Sequence, residues 1–441
     1  MTIQEQFAQA FQLRKEKKYR EALGLYEPLY ANEPDRFGEW EGWSFASCYR
    51  GLAQHNTCLD YCRIFYKKFP EAPLIKQLYA WSVYYTQIAN AENIPAYPTL
   101  KKAMEAIVKM SPPGTAYGCA ERAIFKVIKH LGNQMQPNWP EINRLLGFLD
   151  SDKLSQETYT VDLGKGKKSE LASDLEEWFS WKTKAMLQTE QWQACIDSCD
   201  RATLLIKKWH YSNNIWFARR KAAALSKLGE TEAAKSILSN LITLKKEWFL
   251  LQDMAELEND ATKALGLCTE AAVMYGDLDK KIRLFTKMAQ LYRQTGEDTP
   301  AHEAGLLCLS IRHHNAWPIP ADLETMVTET GGIPAKIEKP LHYLRPLENH
   351  WKKVLEILHP FFHGIIFRLF PDKQSGFIKI DDGGGQIYFS TRDWAGRPPA
   401  LQTGMRLSFR KTKAWDKVKK QESEKAIHLQ KEVKNNANEQ A

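Results

Sequence analysis

Rings and cations are interleaved near the end of the chain in a pattern that could hold a polyanion. Arg368, Lys373, Phe377, Tyr388, Arg392, Trp394, Lys411, Lys413 and Trp415 fall among short apolar runs separated by Gly, Asp and Pro turns. Lys and Arg contact phosphates without reading sequence, and the resulting affinity falls with salt. Phe, Tyr and Trp offer flat faces on which unpaired bases stack, at roughly 1–3 kcal/mol per base. From Phe361 to Ala441 there are 15 Lys and Arg against 9 Asp and Glu, a local charge of +6 within a chain total of +8. Concentrated positive charge predicts an anionic partner: nucleic acid first, then a membrane surface or an acidic protein. The plain alternative is a solubilising surface.

Other chemistry was sought along the chain. Gly164-Lys165-Gly166-Lys167-Lys168-Ser169 has the Gly-Lys pair of a phosphate-binding loop but lacks its upstream glycine. No apolar strand is expected to lead into it, so a solvated loop is the better reading. Cys58/Cys62 and Cys195/Cys199 are each spaced i, i+4 and share one helix face. No Cys or His pair at zinc-finger spacing accompanies them, so buried thiols packed between helices are expected rather than a metal site. His313-His314 closes a helix, where imidazolium favours the dipole. There is no His-Glu-x-x-His, no Gly-x-Ser-x-Gly and no defensible set of carboxylates. The expectation is a non-enzyme with no cofactor and no metal.

The elements that would position the rings are strands. His363–Phe370, Ser375–Ile380 and Gln386–Ser390 are short β-branched and aromatic runs joined by Pro371-Asp372-Lys373-Gln374 and Asp381-Asp382-Gly383-Gly384-Gly385. Close spacing with such turns predicts a meander closing into a small barrel. The run Gly364-Ile365-Ile366, then Lys373-Gln374-Ser375-Gly376-Phe377-Ile378, then Ile387-Tyr388-Phe389-Ser390-Thr391 resembles the cold-shock domain, a five-stranded OB-type barrel. Leu401, Gly404 and Leu407-Ser408-Phe409 resemble its fourth strand, and Ala426-Ile427-His428-Leu429 its closing one. The resemblance implies that rings projecting from the two motifs receive bases. Phe377 and Tyr388 keep that character, and alternation sends Phe389 to the core. Ser375, Ser390 and Thr391 stand where the family has ring positions, and Arg368 replaces its first-strand tryptophan. Basic residues could compensate: Arg368, Lys373, Arg392, Arg397, Arg406, Arg410, Lys411, Lys413, Lys417, Lys419 and Lys420. Trp394 and Trp415 either add stacking surfaces or pack on the barrel.

The rest of the chain reads as helices in pairs. Phe7-Ala8, Ala10-Phe11, Tyr19, Ala22-Leu23, Tyr26 and Leu29 recur at helical spacing, Lys15-Glu16-Lys17-Lys18 forms a polar turn, and Pro34 stops the second helix. This segment resembles a tetratricopeptide repeat through Ala22, Tyr26, Leu29 and Pro34. A second unit follows in Phe45-Ala46, Tyr49, Cys58, Cys62, Phe65 and Pro70, and later units anchor at Ala194, Ala233, Ala264 and Ala304. First helices carry Trp178-Trp181, Trp216-Phe217, Trp248-Leu251 and Met288-Leu291, and Leu228-Gly229-Glu230 and Gln294-Thr295-Gly296 supply glycine turns. Stacked pairs complete each other's core and leave a concave face. Lys207-Lys208-Trp209-His210-Tyr211, with Trp216 and Arg219-Arg220-Lys221, reads as a basic, aromatic helix. It is either a binding surface or, as favoured, repeat core with solvated lysines.

The expected fold is mainly α: a tetratricopeptide-like helical-repeat solenoid followed by a small five-stranded OB/cold-shock-like β-barrel. Its expected parts are repeats over 1–90, an irregular helical segment with a basic loop over 91–170, and more repeats over 171–315. A Pro/Gly linker with a bridging helix from about Leu347 to Leu358 occupies 316–360. The barrel takes 361–430 and a disordered tail 431–441. The N-terminus lacks a signal-peptide pattern and no apolar run reaches membrane-helix length, so a cytoplasmic protein without membrane contact is expected. Function is expected to be that of an adaptor: single-stranded RNA or DNA on the barrel, RNA first, and a protein partner on the concave face. The competing reading is a protein scaffold whose barrel is itself a docking module. An enzyme with an unrecognised site in 91–170 is the least favoured.

Overall fold

In a computed structural model, the backbone is organised by a rule that repeats from pair to pair. The structure describes residues 2–89, 96–162, 164, 166–358, 360–381, 383–394, 398–416 and 421–432. The chain divides into two units, Met1–Arg220 and Lys221–Ala441, with the division inside one helix.

The first unit holds α1 (Ile3–Lys15), α2 (Tyr19–Asn32), α3 (Glu39–Gly51), α4 (His55–Lys68), α5 (Pro73–Val83), α6 (Tyr97–Met110), α7 (Ala120–Gly132) and α8 (Trp139–Leu146). A β-hairpin of β1 (Tyr159–Asp162) and β2 (Lys168–Leu171) follows, then α9 (Asp174–Gln188), α10 (Trp192–Leu205) and the start of α11 (Asn213–Lys227). Thr2 opens α1 with a reciprocal cap: its Oγ1 accepts from Glu5 N at 3.2 Å while Glu5 Oε2 accepts from Thr2 N at 2.7 Å.

The second unit continues with α12 (Thr231–Leu244), α13 (Trp248–Glu256), α14 (Ala261–Val273), α15 (Ile282–Gln294), α16 (Asp298–His314), α17 (Ala321–Thr330) and α18 (Pro340–Leu358).

The fourth residue of the second helix in most pairs is small and buried: Ala22, Cys58, Cys195, Ala234, Ala264 and Ala301. The anchors expected at Ala194 and Ala233 are therefore each one residue early. Ala194 is only half-buried and Ala233 is exposed, because α10 and α12 begin one residue later than that register requires. Ala264 holds the expected position, whereas the anchor expected at Ala304, though buried, lies three residues beyond the fourth position of α16, which Ala301 fills. In α6 and α8 the equivalent residues are Leu100 and Ile142, which is why 91–170 escapes the small-residue pattern.

A second constant is the turn between paired helices. Two residues before the second helix the backbone is left-handed at Lys17 (φ 60°), Ala53 (φ 58°), Glu190 (φ 60°), Gly229 (φ 85°) and Gly296 (φ 78°). The two expected glycine turns are present, and three more carry a side chain in the same strained conformation. Above these turns the first repeats bury a ring cluster. Phe7, Tyr26, Tyr30, Phe37, Phe45 and Phe65 are linked at 5.0–6.5 Å, and Tyr26 Oη donates to Ser44 Oγ at 2.8 Å.

Three expectations for the connecting regions are corrected. The Gly/Lys segment is a hairpin, with Tyr159 paired to Leu171 and Asp162 to Lys168. A strand does lead into it, but the chain returns as β2 and not as the helix a phosphate loop needs. Lys165 lies outside the described residues, as do Pro95, Asp382, Arg397, Lys417, Lys419, Lys420 and all of the expected tail beyond 432; Lys431 itself ends the last strand. The 316–360 region is no mere linker. Leu323, Met326 and Val327 of α17, and Tyr343, Leu344, Leu347 and Trp351 of α18, share one core with α14–α16. Trp351 stacks on Phe285 at 6.1 Å. The bridging helix begins seven residues earlier than expected, at Pro340.

The chain then forms β3 (Phe362–Leu369), β4 (Ser375–Ile380), β5 (Gln386–Ser390), β6 (Arg406–Asp416) and β7 (Gln421–Lys431), a closed barrel in the order β3-β4-β5-β7-β6. β3 is antiparallel to both β4 and β6, and β5 is parallel to β7. Ile366, Ile378, Ile387, Phe389, Leu407, Phe409, Ala426 and Leu429 fill the interior. The last two strands are longer than the expected Leu407–Phe409 and Ala426–Leu429, and run out as a two-stranded arm. There Thr243 of α12 donates to Glu422 Oε1 at 3.4 Å.

Two measurements test this account of the helices. Gly229 has open space where a side chain would sit, so Gly229→Ala should lose about 1 kcal/mol of stability through backbone strain alone, whereas Ala53→Gly should gain a fraction of that, both read by denaturant unfolding. Glu141 ties α6 to α8. It accepts from Arg144 Nε at 2.6 Å, from Arg144 Nη2 at 2.7 Å and from Tyr97 Oη, and the Arg144 hydrogen bonds lower its carboxyl to about 2 against the opposing effect of burial. A depressed carboxylate stabilises the fold above its unfolded value near 4.5 and loses that contribution as pH falls toward 2. Glu141→Gln should therefore cost about 1–2 kcal/mol at neutral pH and little at pH 2, read by unfolding at both values.

Candidate nucleic-acid interface

Strand alternation around the barrel carries one row of side chains outward on all five strands. Cross-strand partners run Arg368 to Phe377, Phe377 to Tyr388, Tyr388 to Lys425 and Lys425 to Thr412. Their neighbours Ile378, Ile387, Phe389 and Ala426 face the core. Phe377 and Tyr388 are half-buried, with ring centroids 5.9 Å apart at 71°. Ser375 and Ser390 pair beside them and contribute no ring from β4 or β5 there.

Arg368 reaches the outer face through a β-bulge. The register shifts between Ile366 and Arg368, so Phe367 and Arg368 both project outward where strict alternation would turn Arg368 inward. Phe367 is 42% exposed. Phe370 closes the group, 5.8 Å from Phe377 and 6.4 Å from Tyr388, with the Arg368 guanidinium 5.9 Å above its ring. The turn that follows returns Lys373 N to Phe370 O at 2.9 Å and places exposed Lys373 next to the rings. Arg392 is exposed just past β5.

Sequence reasoning missed Phe367, Phe370 and Lys425. The two phenylalanines fit an ordinary β-strand run, and only the bulge shows both sharing the face with Arg368. Lys425 is visible only through the parallel pairing of β5 and β7, and its Nζ meets Asp393 Oδ2 at 2.6 Å.

Four of the expected site residues lie elsewhere. Trp394 bridges to Leu429 and packs against the barrel core. Lys411, Lys413 and Trp415 alternate to the side opposite Thr412 and run along the arm toward α12. Lys411 sits 4.2 Å from the centre of the Phe362 ring and 3.6 Å from Glu424, Lys413 lies 3.9 Å from Glu422, and Trp415 is opposite Glu422 and 49% exposed. Arg406 is also engaged, with Asp381 at 2.6 Å and Glu432 at 3.2 Å. Arg410 stacks over Phe361 at 4.6 Å. Much of the local positive charge is thus balanced within the barrel, leaving Arg368, Lys373 and Arg392 beside the rings.

In the helical array, the 207–211 segment is a turn after α10 rather than a helix, with Tyr211 and Ser212 left-handed at φ 53° and 58°. Buried Glu176 holds it: Oε1 accepts from His210 N and Asn213 Nδ2, each at 2.8 Å, and Oε2 meets His210 Nδ1 at 2.8 Å. Lys208 pairs with Glu170 of the hairpin. Arg220 donates to Thr183 Oγ1 at 3.1 Å, and desolvation lowers its guanidinium to about 10. Most of this segment therefore serves the fold, while Lys207 and Tyr211, the latter 62% exposed, face outward.

All eight cysteines are free and buried. Burial pushes Cys48, Cys119, Cys268 and Cys308 up to about 12, which removes thiolate chemistry at neutral pH. Among the described residues no group of three or more His, Cys, Asp or Glu is placed to hold a metal, and no helix is long and apolar enough to cross a membrane.

A family model described as "Domain of unknown function (DUF7017)" matches residues 215–333, a stretch of the helical array that stops short of the barrel. No curated protein matches the chain. Solved structures with similarity include the C-terminal part of a TPR repeat-containing protein from Cytophaga hutchinsonii, at 13% identity over 73% of this chain and 99% of that one, TM-score 0.29. A thermophilic TPR protein from Thermus thermophilus matches at 12% identity over 58% of this chain and 98% of that one, TM-score 0.22. The human IFIT1 dimer with PPP-AAAA matches at 10% identity over 77% of this chain and 78% of that one, TM-score 0.34.

The outer row depends on a close approach beneath it. A β-carbon on Gly376 would lie 2.2 Å from Arg368 O, a backbone atom with no freedom to withdraw. Gly376→Ala should destabilise the barrel by more than about 2 kcal/mol and expose β3 and β4 amides to hydrogen exchange, leaving the amides of α1–α4 protected. Unchanged protection in β3 and β4 would contradict the packing described.

Proposed function

We propose that this chain is a non-catalytic adaptor that holds single-stranded nucleic acid, RNA first, on the outer face of its barrel and a protein partner on its helical repeats. The observation that carries the reading is the outward row Arg368–Phe377–Tyr388–Lys425, where rings and cations share one surface. The strand order, with β3 joined to both β4 and β6 and β5 parallel to β7, supports assigning the barrel to the OB-type, cold-shock-like class. Barrels of this class bind single strands by combining a cationic groove with stacking rings. The repeats supply a surface for protein docking, including a groove of about 410 Å³ between α15 and α17 lined by Thr286, Gln290, Arg293, Asp322, Leu323 and Met326. Eight free, buried cysteines fit a reduced, cytoplasmic setting.

A protein scaffold with the barrel as a docking module is the second reading. It is favoured by Ser375, Ser390 and Thr391 at the ring positions and by the ion pairs that occupy Arg406, Lys411 and Lys413.

Fluorescence anisotropy of the full chain with a labelled single-stranded oligonucleotide separates the two. The adaptor reading expects binding that weakens steeply between about 50 and 200 mM salt, and a loss of roughly 1–3 kcal/mol for Tyr388→Ala. Absence of salt-sensitive binding in the full chain leaves the scaffold reading.

A further inference from the structure

We infer that Phe367 and Phe370 are base-stacking residues, and that they replace on the β3 side the rings missing at Ser375, Ser390 and Thr391. This inference rests on the nucleic-acid reading above and adds to it the path the ligand takes: across β3 and the turn after it, where Phe370 N donates to Ser375 O at 2.9 Å and the Phe370 ring stands beside the ring-free Ser375–Ser390 pair.

Three observations converge. The bulge brings Phe367 onto the same surface as Arg368 and leaves the ring 42% exposed, in a position that contributes nothing to the barrel interior. Phe377 then stands at the centre of a group: Phe367 at 6.4 Å and 45°, Phe370 at 5.8 Å and 82°, Tyr388 at 5.9 Å and 71°. Tilted and edge-on contacts hold rings upright while leaving faces uncovered. Finally, the cations collect at the same end. Arg368 lies over Phe370, and Lys373 is one tight turn from it.

The ligand class follows from this geometry. Separate ring faces suit bases that are unstacked and splayed, so a single strand fits and a duplex, whose bases already cover each other, does not. Stacking on phenylalanine is sequence-tolerant because every base has a π-face. Phe367 and Phe370 have no donors or acceptors to read base edges. The site should therefore discriminate strandedness and not sequence.

The test uses the full-length chain, a fluorescein-labelled oligo(U) and an oligo(dT) of equal length, with duplex DNA as competitor. Phe377→Ala is the reference for the barrel face, and Phe367→Ala, Phe367→Leu, Phe367→Tyr and Phe370→Ala probe the inference. The expected result is roughly tenfold weaker binding for Phe377→Ala, Phe367→Ala and Phe370→Ala, recovery in Phe367→Tyr, no recovery in Phe367→Leu, and poor competition by duplex. The leucine and tyrosine variants keep an apolar side chain on an exposed strand position, so their contrast reads stacking rather than folding. If Phe377→Ala weakens binding while Phe367→Ala and Phe370→Ala match the wild type, the inference falls and the barrel remains a single-strand site. Wild-type affinity in Phe367→Leu also overturns it, since bulk without a π-face would then suffice. If the wild-type chain binds neither oligonucleotide, the inference and the reading beneath it fall together.

Discussion

Close packing around small residues is the constraint on which both halves of this protein rest. In the helical array the fourth residue of a second helix is buried, and Ala22, Cys58, Cys195, Ala234, Ala264 and Ala301 fill that position with side chains of one or two heavy atoms. In the barrel close packing occurs between β3 and its neighbours, where Gly364 and Gly376 have no room for a β-carbon. Interiors packed at crystal-like density leave no slack at such points. Once those contacts are fixed, the direction of each outward side chain follows, including those of Phe377 and Tyr388.

The cysteines take their meaning from the same constraint. Cys58 and Cys195 occupy the position that alanine holds in other pairs, and Cys62 and Cys199 lie one turn further along the same buried face. Cys195 Sγ donates to Thr183 O at 3.4 Å, a contact that a helix of the preceding element can offer only at short range. A spacing that could have belonged to a metal ligand pair is thus accounted for by helix packing, since free cysteine behaves as a small hydrophobe.

What was legible in the sequence, and what was not, follows from where the information lies. The architecture was readable because periodicity is local: helices at three and four, strands at two, with Gly229 and Gly296 marking turns. Anchors at Ala194 and Ala233 were misplaced by one because Ala194-Cys195 and Ala233-Ala234 each offer two small residues in succession, and only the helix start decides between them. The polar turn at Lys15–Lys18 was readable, but those at Ala53 and Glu190 were hidden, because the backbone is left-handed there without a glycine to mark it. Helix α17 was hidden by the prolines around it, although Leu323, Met326 and Val327 already carry helical spacing. In the barrel, Phe377 and Tyr388 were placed on the outer face by the resemblance to the cold-shock motifs, and alternation sent Phe389 to the core. Lys411, Lys413 and Trp415 continue the alternation of Leu407 and Phe409, since the register shift puts its extra residue in β7; they were misplaced because the expected strand stopped at Phe409 and the arm beyond it was not foreseen.

Where the charge sits in the barrel matters more than its sum. The net +6 of residues 361–441 already counts the carboxylates, but ion pairing takes Arg406, Lys411, Lys413 and Lys425 out of the cations free to meet a phosphate. Exposed pairs of this kind contribute little to stability, yet they lower the field that a phosphate chain would meet. The remaining attraction is concentrated at Arg368, Lys373 and Arg392, around rings that need no counter-charge to stack a base. Affinity at this face should therefore lean on aromatic area more than the composition implies. That in turn makes the bulge at Phe367 the feature on which the ligand-binding character of the domain turns: without it, Arg368 would point into the core and the face would lose its nearest cation.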